Sequence, residues 1–200
     1  MSQRRIGLTG GIATGKSSVG RLLAERGLPL LDADVYAREA LAPGSPGAAA
    51  VLARYGAQVQ GAVASTQLNR AALGRIVFAD AAERRWLEAL VHPLVRQRLA
   101  TELAARAAAP VVVLMIPLLF EAGLEGLCSE VWLVDCDEAQ QQQRLMARDG
   151  LTAAEAQARM AAQWPLADKR AQADVLINNR GEPGALVDQV AAALSPSAVG

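Results

Sequence analysis

The chain has 200 residues, of which 52% are hydrophobic and 20% are charged, and its 20 basic residues are balanced by 20 acidic ones. This length suits one folded domain, alone or with an appended subdomain, and the composition excludes a disordered chain. The zero net charge argues against a protein that coats nucleic acid, because such proteins carry a basic surface, whereas small anionic ligands remain open.

The apolar segments of the sequence argue against a secreted protein and against a membrane protein. The apolar stretch 6–8 is too short for the core of a signal peptide. The longest apolar run, 111–120, is shorter than the roughly 20 residues of a membrane helix, and Pro117 interrupts it. We therefore expect a cytoplasmic protein that has neither a membrane nor a nucleic acid as its partner.

Five short apolar runs predict β-strands, and Ala-, Leu- and Arg-rich stretches predict the helices between them. Each run is mostly apolar rather than alternating, which is typical of strands in a parallel sheet that helices cover on both faces. The sequence therefore predicts a three-layer α/β fold with a parallel five-stranded sheet. The predicted strands are 5–9, 28–31, 111–116, 130–136 and 174–178.

Two helical segments interrupt the alternation of strands and helices. About 80 residues separate the second predicted strand from the third, far more than one crossover helix needs. A shorter helical segment separates the fourth strand from the fifth. We predict a core of residues 1–34, 110–138 and 172–195, a helical insertion at about 35–109 and a helical segment at about 139–171. The helices predicted in the insertion lie near 47–55, 69–78, 81–91 and 93–108, the last beginning at Pro93.

Two short motifs predict the starts of helices. Asp80 and Glu83 form a D-x-x-E box, and Thr152 and Glu155 form a T-x-x-E box. In such a box the first side chain accepts from the backbone of the fourth residue, whose own side chain accepts from the backbone of the first.

Residues 10–17 spell G-x-x-x-x-G-K-S between the first predicted strand and a helix predicted to begin at about Lys16. Glycines let backbone N–H groups approach phosphate oxygens, and the N-terminal amides of a helix add partial positive charge. We expect Lys16 to contact the β- and γ-phosphates of a nucleoside triphosphate and the Ser17 hydroxyl to ligate Mg²⁺. The strand–helix setting disfavours the alternative, a glycine-rich turn without a ligand. The predicted nucleotide-binding residues of this loop are Gly10, Gly11, Ile12, Ala13, Thr14, Gly15, Lys16, Ser17 and Ser18.

Two carboxylates follow the second predicted strand. Asp32 and Asp34 lie where that strand ends, and ligands of open α/β sheets bind beyond the carboxyl ends of the strands. We predict that Asp34 accepts a proton from the attacking hydroxyl or holds Mg²⁺ through water. The alternative is a cap for the following helix, which fits Asp32 as well as a functional role does.

Arginines of the second helical segment are candidates for contacts with phosphate. Arg144 and Arg148 lie four residues apart, on one face of a helix, and a guanidinium stays charged and matches phosphate oxygens. We predict that Arg144 is catalytic and that Arg148 binds the nucleotide. A solvated helix surface is the alternative, and for Arg159 and Arg170 it is at least as well supported.

Four further residues are predicted to bind the substrate: Arg38, Arg70, His92 and Glu121. His92 precedes Pro93 at a predicted helix junction, where a capping or core histidine is more common than a catalytic one. Glu121 follows the third predicted strand and either contacts the substrate or closes a helix.

Five segments of the chain, taken in order, resemble dephospho-coenzyme A kinase over nearly the whole length. They are LTGGIATGKSSV, LLDADVYAR, RIVFADAAERRWLEALVHPLV, PLLFEAGL and AQADVLINN. The resemblance implies ATP-dependent phosphorylation of the ribose 3′-hydroxyl of dephospho-coenzyme A, a nucleotide-kinase fold, a helical substrate domain and a lid. It implies that Asp34 is the catalytic aspartate, that Arg144 is a lid arginine, and that His92 with Pro93 belongs to the substrate domain.

The sequence departs from the pattern of that family at several positions. Ala13 and Thr14 replace the more common Gly-Ser, and Ser18 stands where threonine is frequent; all are small enough to preserve phosphate binding. Asn69 and Met115 stand where acidic residues are frequent. We therefore assign no metal-binding acid to the third strand.

Two other functions compete with this interpretation. One is a kinase for a different small molecule or a nucleoside monophosphate, which would share the loop. The other is a nucleotide-dependent switch, which the absence of an N-K-x-D segment and the long insertion argue against. We expect a monomer or a weak homo-oligomer.

Overall fold

Five parallel strands form one sheet in the order β2-β3-β1-β4-β5. This is a computed structural model, and it describes residues 3–61, 67–181 and 183–195. The predicted parallel α/β fold is confirmed, and only β2 departs noticeably from its predicted range, beginning two residues later. The strands are β1 (Arg4–Gly10), β2 (Leu30–Asp32), β3 (Val111–Met115), β4 (Glu130–Asp135) and β5 (Val175–Asn178).

The chain divides into two compact units, Met1–Asp32 with Arg106–Gly200, and Ala33–Ala105. The first unit contains the sheet and its covering helices, which are α1 (Lys16–Glu25), α6 (Glu138–Asp149), α7 (Ala153–Ala161), α8 (Leu166–Gln172) and α9 (Pro183–Leu194). The second unit consists of α2 (Ala33–Ala40), α3 (Pro46–Tyr55), α4 (Arg70–Ala79) and α5 (Ala81–Ala105). Short 3₁₀ turns lie at Gly56–Val59 and Glu125–Leu127. The functional division into core, insertion and lid stays a prediction.

The central strands are buried along almost their whole length, as the mostly apolar runs predicted. In β1 the last five residues are buried, and in β3 and β4 all but the first residue are buried. Ile6, Leu8 and Trp132 of these strands pack in one cluster with Leu23 of α1 and Val190 of α9. This core positions the carboxyl end of β1, where the glycine-rich loop begins.

The prediction that separate helices meet at Pro93 is wrong. Residues 81–105 form one helix, α5, and Pro93 lies inside it. Proline removes one helical hydrogen bond and usually breaks a helix. Here Val91, Val95, Leu99 and Leu103 form a buried stripe at four-residue spacing, and this packing keeps the helix continuous. His92 consequently lies in the interior of α5 and not at a junction.

One of the two predicted capping boxes forms. Thr152 and Glu155 make both reciprocal bonds at the start of α7. The motif of Asp80 and Glu83 correctly predicts a helix start, since α5 begins at Ala81. Its reciprocal box does not form, because the Asp80 N–H donates to the Ile76 carbonyl at the end of α4. Asp80 still accepts from the Ala82 N–H at 2.7 Å, whereas the Glu83 carboxylate binds partners on another helix.

Those partners are Arg54 and Tyr55, at the end of α3. Arg54 donates from Nε and Nη2 to the two Glu83 oxygens, each at 2.8 Å, and the Tyr55 hydroxyl also donates to Glu83. The guanidinium lies 4.5 Å from the centre of the Trp86 ring. The hydrogen bond from Arg54 is the main cause that lowers the pKa of Glu83 to about 2. A charged partner thus competes successfully with the helix terminus for this carboxylate.

We expect Glu83→Gln to destabilise the chain at neutral pH. The folded pKa of Glu83, about 2, lies below the ordinary value of 4.5, so its stabilising effect is complete above pH 4.5 and is lost as the pH falls toward 2. The free energy of unfolding of the variant should therefore approach that of the native chain between those pH values. Urea unfolding followed by circular dichroism at pH 7, 5, 4 and 3 measures this.

Glu88→Gln on the same helix is the matched control, because the described residues show no ion pair for Glu88. The prediction is wrong if both variants differ from the native chain by the same amount at every pH.

Candidate active site

The phosphate loop occupies the turn between β1, which ends at Gly10, and α1, which begins at Lys16. Gly15 precedes the helix with φ at 97°, a left-handed conformation that favours glycine. The first turn of α1 contains no acidic residue, and no side chain caps it. The N-terminus of α1 therefore has neither a capping side chain nor an acidic side chain in its first turn, which suits the binding of an anion.

Three carbonyl groups of the loop accept hydrogen bonds from side chains. The Thr14 hydroxyl donates to the Gly11 carbonyl at 2.9 Å. Gln141 Nε2 donates to the Ile12 carbonyl at 2.7 Å, and Asn179 Nδ2 donates to the Thr14 carbonyl at 2.7 Å. Thr14 and Gln141 are almost completely buried, at 0% and 4% exposure. Donors contributed by three different parts of the chain thus fix the peptide planes of the loop.

These bonds determine where the loop N–H groups point. In a trans peptide the carbonyl of one residue and the N–H of the next point in opposite directions. Donors on the Ile12 and Thr14 carbonyls therefore direct the N–H groups of Ala13 and Gly15 to the other side. Such an array of backbone N–H groups is what a phosphate-binding loop requires.

Ala13 is the one non-glycine residue with positive φ, 60°, in the described part of the chain. An L-residue in this conformation costs about 1–2 kcal/mol, and strain of this kind persists only where the surroundings enforce it. It lies in the predicted nucleotide loop. The hydrogen bonds to the carbonyls of Ile12 and Thr14, on either side of Ala13, hold it in this conformation.

Lys16 and Ser17 occupy the first two positions of α1, with Lys16 half-buried and Ser17 exposed. Ser18 follows, and its N–H donates to the Gly15 carbonyl at 2.9 Å. These three residues thus lie in the first turn of α1, where the motif predicted them. Their contacts with a nucleotide stay predictions.

The two candidate lid arginines differ in their contacts. Arg144 Nη2 donates to the Asn179 carbonyl at 3.0 Å, and its Nη1 is buried with no hydrogen-bond partner among the described residues. Arg148 instead donates to Asp149 from Nε and Nη2, at 2.7 and 3.1 Å. These hydrogen bonds raise the pKa of Arg148 and lower the pKa of Asp149. A buried cationic donor without an acceptor makes Arg144 the stronger candidate for binding an anion.

Arg159 and Arg170, for which a solvated surface was the alternative, both form ion pairs. Arg159 contacts Asp149 at 2.9 Å. Arg170 contacts Asp135 at 2.8 Å, and Arg180 contacts the other oxygen of Asp135 at 2.7 Å. The hydrogen bond to Asp135 raises the pKa of Arg170. These arginines are therefore engaged in connecting elements of the first unit.

Glu121 lies after β3, in contact with the segment that leads into α8. Its Oε1 accepts from the Trp164 N–H at 3.0 Å and lies 2.7 Å from Nζ of Lys169, which is completely buried. The neighbouring Phe120 ring stacks on Trp164 with centroids 6.2 Å apart. Glu121 thus anchors another part of the first unit, and its predicted contact with substrate stays a prediction.

In the second unit, the structure brings together three predicted substrate residues. Asp34, Arg38 and Arg70 line one cavity of about 410 Å³, whose other walls are mainly aliphatic. All three side chains are exposed, and Arg70 Nη2 donates to the Arg38 carbonyl at 3.1 Å. His92 is half-buried in the interior of α5. An acid beside two cations suits a substrate that carries both hydroxyl and phosphate groups.

Comparison with known proteins identifies the family. The model of the dephospho-CoA kinase family matches residues 4–184. The chain belongs to the dephospho-CoA kinase family. A Synechococcus protein named dephospho-CoA kinase is 67% identical over 184 residues, which are 92% of this chain and 88% of that protein.

Solved structures agree with this fold. A crystal structure from Thermus thermophilus has a TM-score of 0.82 and 38% identity, covering 100% of both chains. Dephospho-CoA kinase from Campylobacter jejuni has a TM-score of 0.71 and 23% identity, covering 94% of each chain, and supports the fold. Sequence reasoning assigned no role to Gln141, Gln163 or Asn179, because a lone amide side chain carries no pattern before its partner is known. Asn179 ends the segment AQADVLINN, and this was the one available signal for it.

We expect Gly15→Ala to abolish tight ATP binding. A Cβ at this position would lie 2.0 Å from Asn179 Nδ2 and would have to adopt the left-handed conformation, so both the loop and its Asn179 bond would shift. Gly27→Ala is the control, because Gly27 has φ at 78° but nothing within 4 Å of its Cβ position. Isothermal titration of both variants with ATP should show a large loss of affinity for Gly15→Ala alone. Equal affinities would show that the contact with Asn179 is unimportant.

Proposed function

We propose that this chain transfers the γ-phosphoryl group of ATP to the ribose 3′-hydroxyl of dephospho-CoA, forming CoA and ADP. The observation that carries the proposal is a complete phosphate loop, with its peptide planes held by side chains, in a member of the dephospho-CoA kinase family. Its named relatives, at up to 67% identity, support the same acceptor.

The loop and the lid arginine would stabilise the phosphates. The N–H groups of Ala13 and Gly15 and the N-terminal amides of α1 donate to phosphate oxygens, and Lys16 offsets their negative charge. Nη1 of Arg144, buried without a partner in the described part of the chain, donates to the transferred group. Preorganised donors of this kind act without the reorganisation that water would require.

Transfer requires one proton to leave the acceptor. The 3′-oxygen forms a bond to the γ-phosphorus, the bond from that phosphorus to the bridging oxygen breaks, and ADP leaves with the electron pair. We assign the released proton to the carboxylate of Asp34, which lies in the first turn of α2. Arg38 and Arg70, which line the same cavity, are suited to the diphosphate of dephospho-CoA.

The residues beside the loop suit Mg²⁺. This ion takes few protein ligands and fills its shell with phosphate oxygens and water, and Ser17 offers an exposed hydroxyl in the first turn of α1. Within residues 3–61, 67–181 and 183–195, no group of three or more His, Cys, Asp or Glu forms a metal site of its own. We propose Ser17 as the ligand, with contact through water as the alternative role of Asp34. When bound, Mg²⁺ offsets the charge of the β- and γ-phosphates.

Two further predictions concern the location of the protein and its oligomeric state. Among the described residues, no helix has the length and apolar composition required to cross a bilayer. A cytoplasmic location, and a chain that is monomeric or weakly self-associating, stay our proposals from the sequence.

Asp34→Asn tests the assignment of the base. We expect kcat to fall by about 10²- to 10⁴-fold with ATP binding largely kept, because the substitution removes the proton acceptor and retains the shape. Glu39→Gln on the same helix is the control, since the Glu39 carboxylate is exposed and lies 3.7 Å from the exposed Arg98 guanidinium. Steady-state kinetics with both substrates varied measures the effect, and near-normal turnover would remove Asp34 from this role.

A comparison of several phosphoryl acceptors tests the identity of the substrate. With Mg²⁺ and ATP, a coupled ADP assay should show far faster turnover with dephospho-CoA than with nucleoside monophosphates, shikimate or gluconate. A faster reaction with any of these others would favour the competing small-molecule kinase. ADP formation that is slow and independent of every acceptor would favour a nucleotide-dependent switch.

A further inference from the structure

Two glutamines bind the backbone of a single loop residue from opposite sides. Gln141 of α6 donates from Nε2 to the Ile12 carbonyl at 2.7 Å, and Gln163, between α7 and α8, accepts at Oε1 from the Ile12 N–H at 2.8 Å. Gln141 is 4% exposed and Gln163 is half-buried. The backbone N–H and the backbone carbonyl of Ile12 therefore both bind side chains of the segment predicted as the lid.

The loop is shaped to admit one of these side chains. A Cβ at Gly11 would lie 2.6 Å from Gln141 Nε2 and 3.3 Å from Leu166 Cδ2. The side-chain amide of Gln141 thus occupies space that is open only because residue 11 is glycine. The close contact and the burial together show a specific fit, because a long polar side chain is seldom buried without a defined partner.

The polarity of the two bonds is set by the backbone. A carbonyl accepts and an N–H donates, so Gln141 must present its NH₂ group and Gln163 its oxygen. With its carbonyl held by Gln141, the Ile12 peptide directs the N–H of Ala13 to the opposite side. The same bond holds Ala13 in its left-handed conformation before any nucleotide arrives.

We propose that Gln141 and Gln163 are positioning residues that hold the two peptide groups flanking Ile12 by hydrogen bonds of opposite polarity and thereby set the affinity of the loop for ATP. The proposal rests on the proposed function only in taking ATP as the ligand of the loop. It assigns to two residues of the predicted lid a role in preorganising the phosphate site, which lowers the cost of binding.

Substitution by glutamate distinguishes this role from simple space-filling. A carboxylate accepts hydrogen bonds but does not donate, so Gln163→Glu keeps its bond to the Ile12 N–H, whereas Gln141→Glu places an anion against the Ile12 carbonyl. Both variants add the same charge beside the same residue, so their difference reports the polarity of the bonds. Gln157→Glu is the charge control, because Gln157 is exposed and lines the same cavity of about 620 Å³ as Gln141 and Gln163.

The experiment is isothermal titration of the full chain with ATP and Mg²⁺, with thermal unfolding recorded for each variant. We expect Gln141→Glu to raise the Kd for ATP by about 10- to 100-fold, as for a buried acceptor that loses its donor. Gln163→Glu should bind ATP about as well as Gln157→Glu. Equal affinities for Gln141→Glu and Gln163→Glu would overturn the proposal.

Gln163→Leu keeps the experiment decisive if Gln141→Glu fails to fold. It removes the acceptor, so we expect a Kd about 5- to 10-fold higher, and Gln163→Glu should restore the affinity despite its added charge. A Gln163→Leu variant that binds ATP as tightly as Gln163→Glu would refute the role of the hydrogen bond. Because the titration uses no acceptor, a native chain that binds ATP without phosphorylating dephospho-CoA would refute the proposed function and leave this test intact.

Discussion

The orientation of the carbonyl groups in the phosphate loop is the constraint on which the rest of the site depends. A loop of small residues has many backbone conformations, and only a few of them place the N–H groups together. Here Thr14, Gln141 and Asn179 each hold one carbonyl. The N–H groups that face away from these donors then form the positive surface beside which Lys16 begins its helix. We propose that the phosphate affinity of this loop comes from neutral amides together with a few charged groups.

Two ion pairs, one after β3 and one at the last residue of β4, hold α8 in the first unit. Lys169, completely buried, contacts Glu121, and its neighbour Arg170 contacts Asp135, which is 4% exposed. Removing one member of a buried pair leaves an uncompensated charge and typically costs about 3–5 kcal/mol. These contacts position the segment that precedes α8, and with it Gln163. The contact with Glu121 also offsets the charge of Lys169, which is one of the two lysines of the chain and is buried.

The arginines of this unit are distinguished by their partners rather than by their positions in the sequence. Arg148, Arg159 and Arg170 each contact an aspartate, so their charge is largely offset within the protein. Arg144 donates to a carbonyl and retains a buried donor without a partner in the described residues. A phosphate would satisfy that donor, and this difference supports the role proposed for Arg144.

The sequence by itself determined the parallel α/β fold, the glycine-rich loop and the start of α1, because these depend on short-range patterns such as apolar runs and glycine spacing. It also predicted Asp34 near the end of β2, and in the structure this residue follows β2 in the first turn of α2. Only the tertiary structure decided that Glu83 binds Arg54 instead of capping a helix, that α5 continues through Pro93, and that Gln141 and Gln163 meet Ile12. Each of these depends on partners distant in the chain, and local propensity contributes too little energy to outweigh a buried stripe or a charged partner.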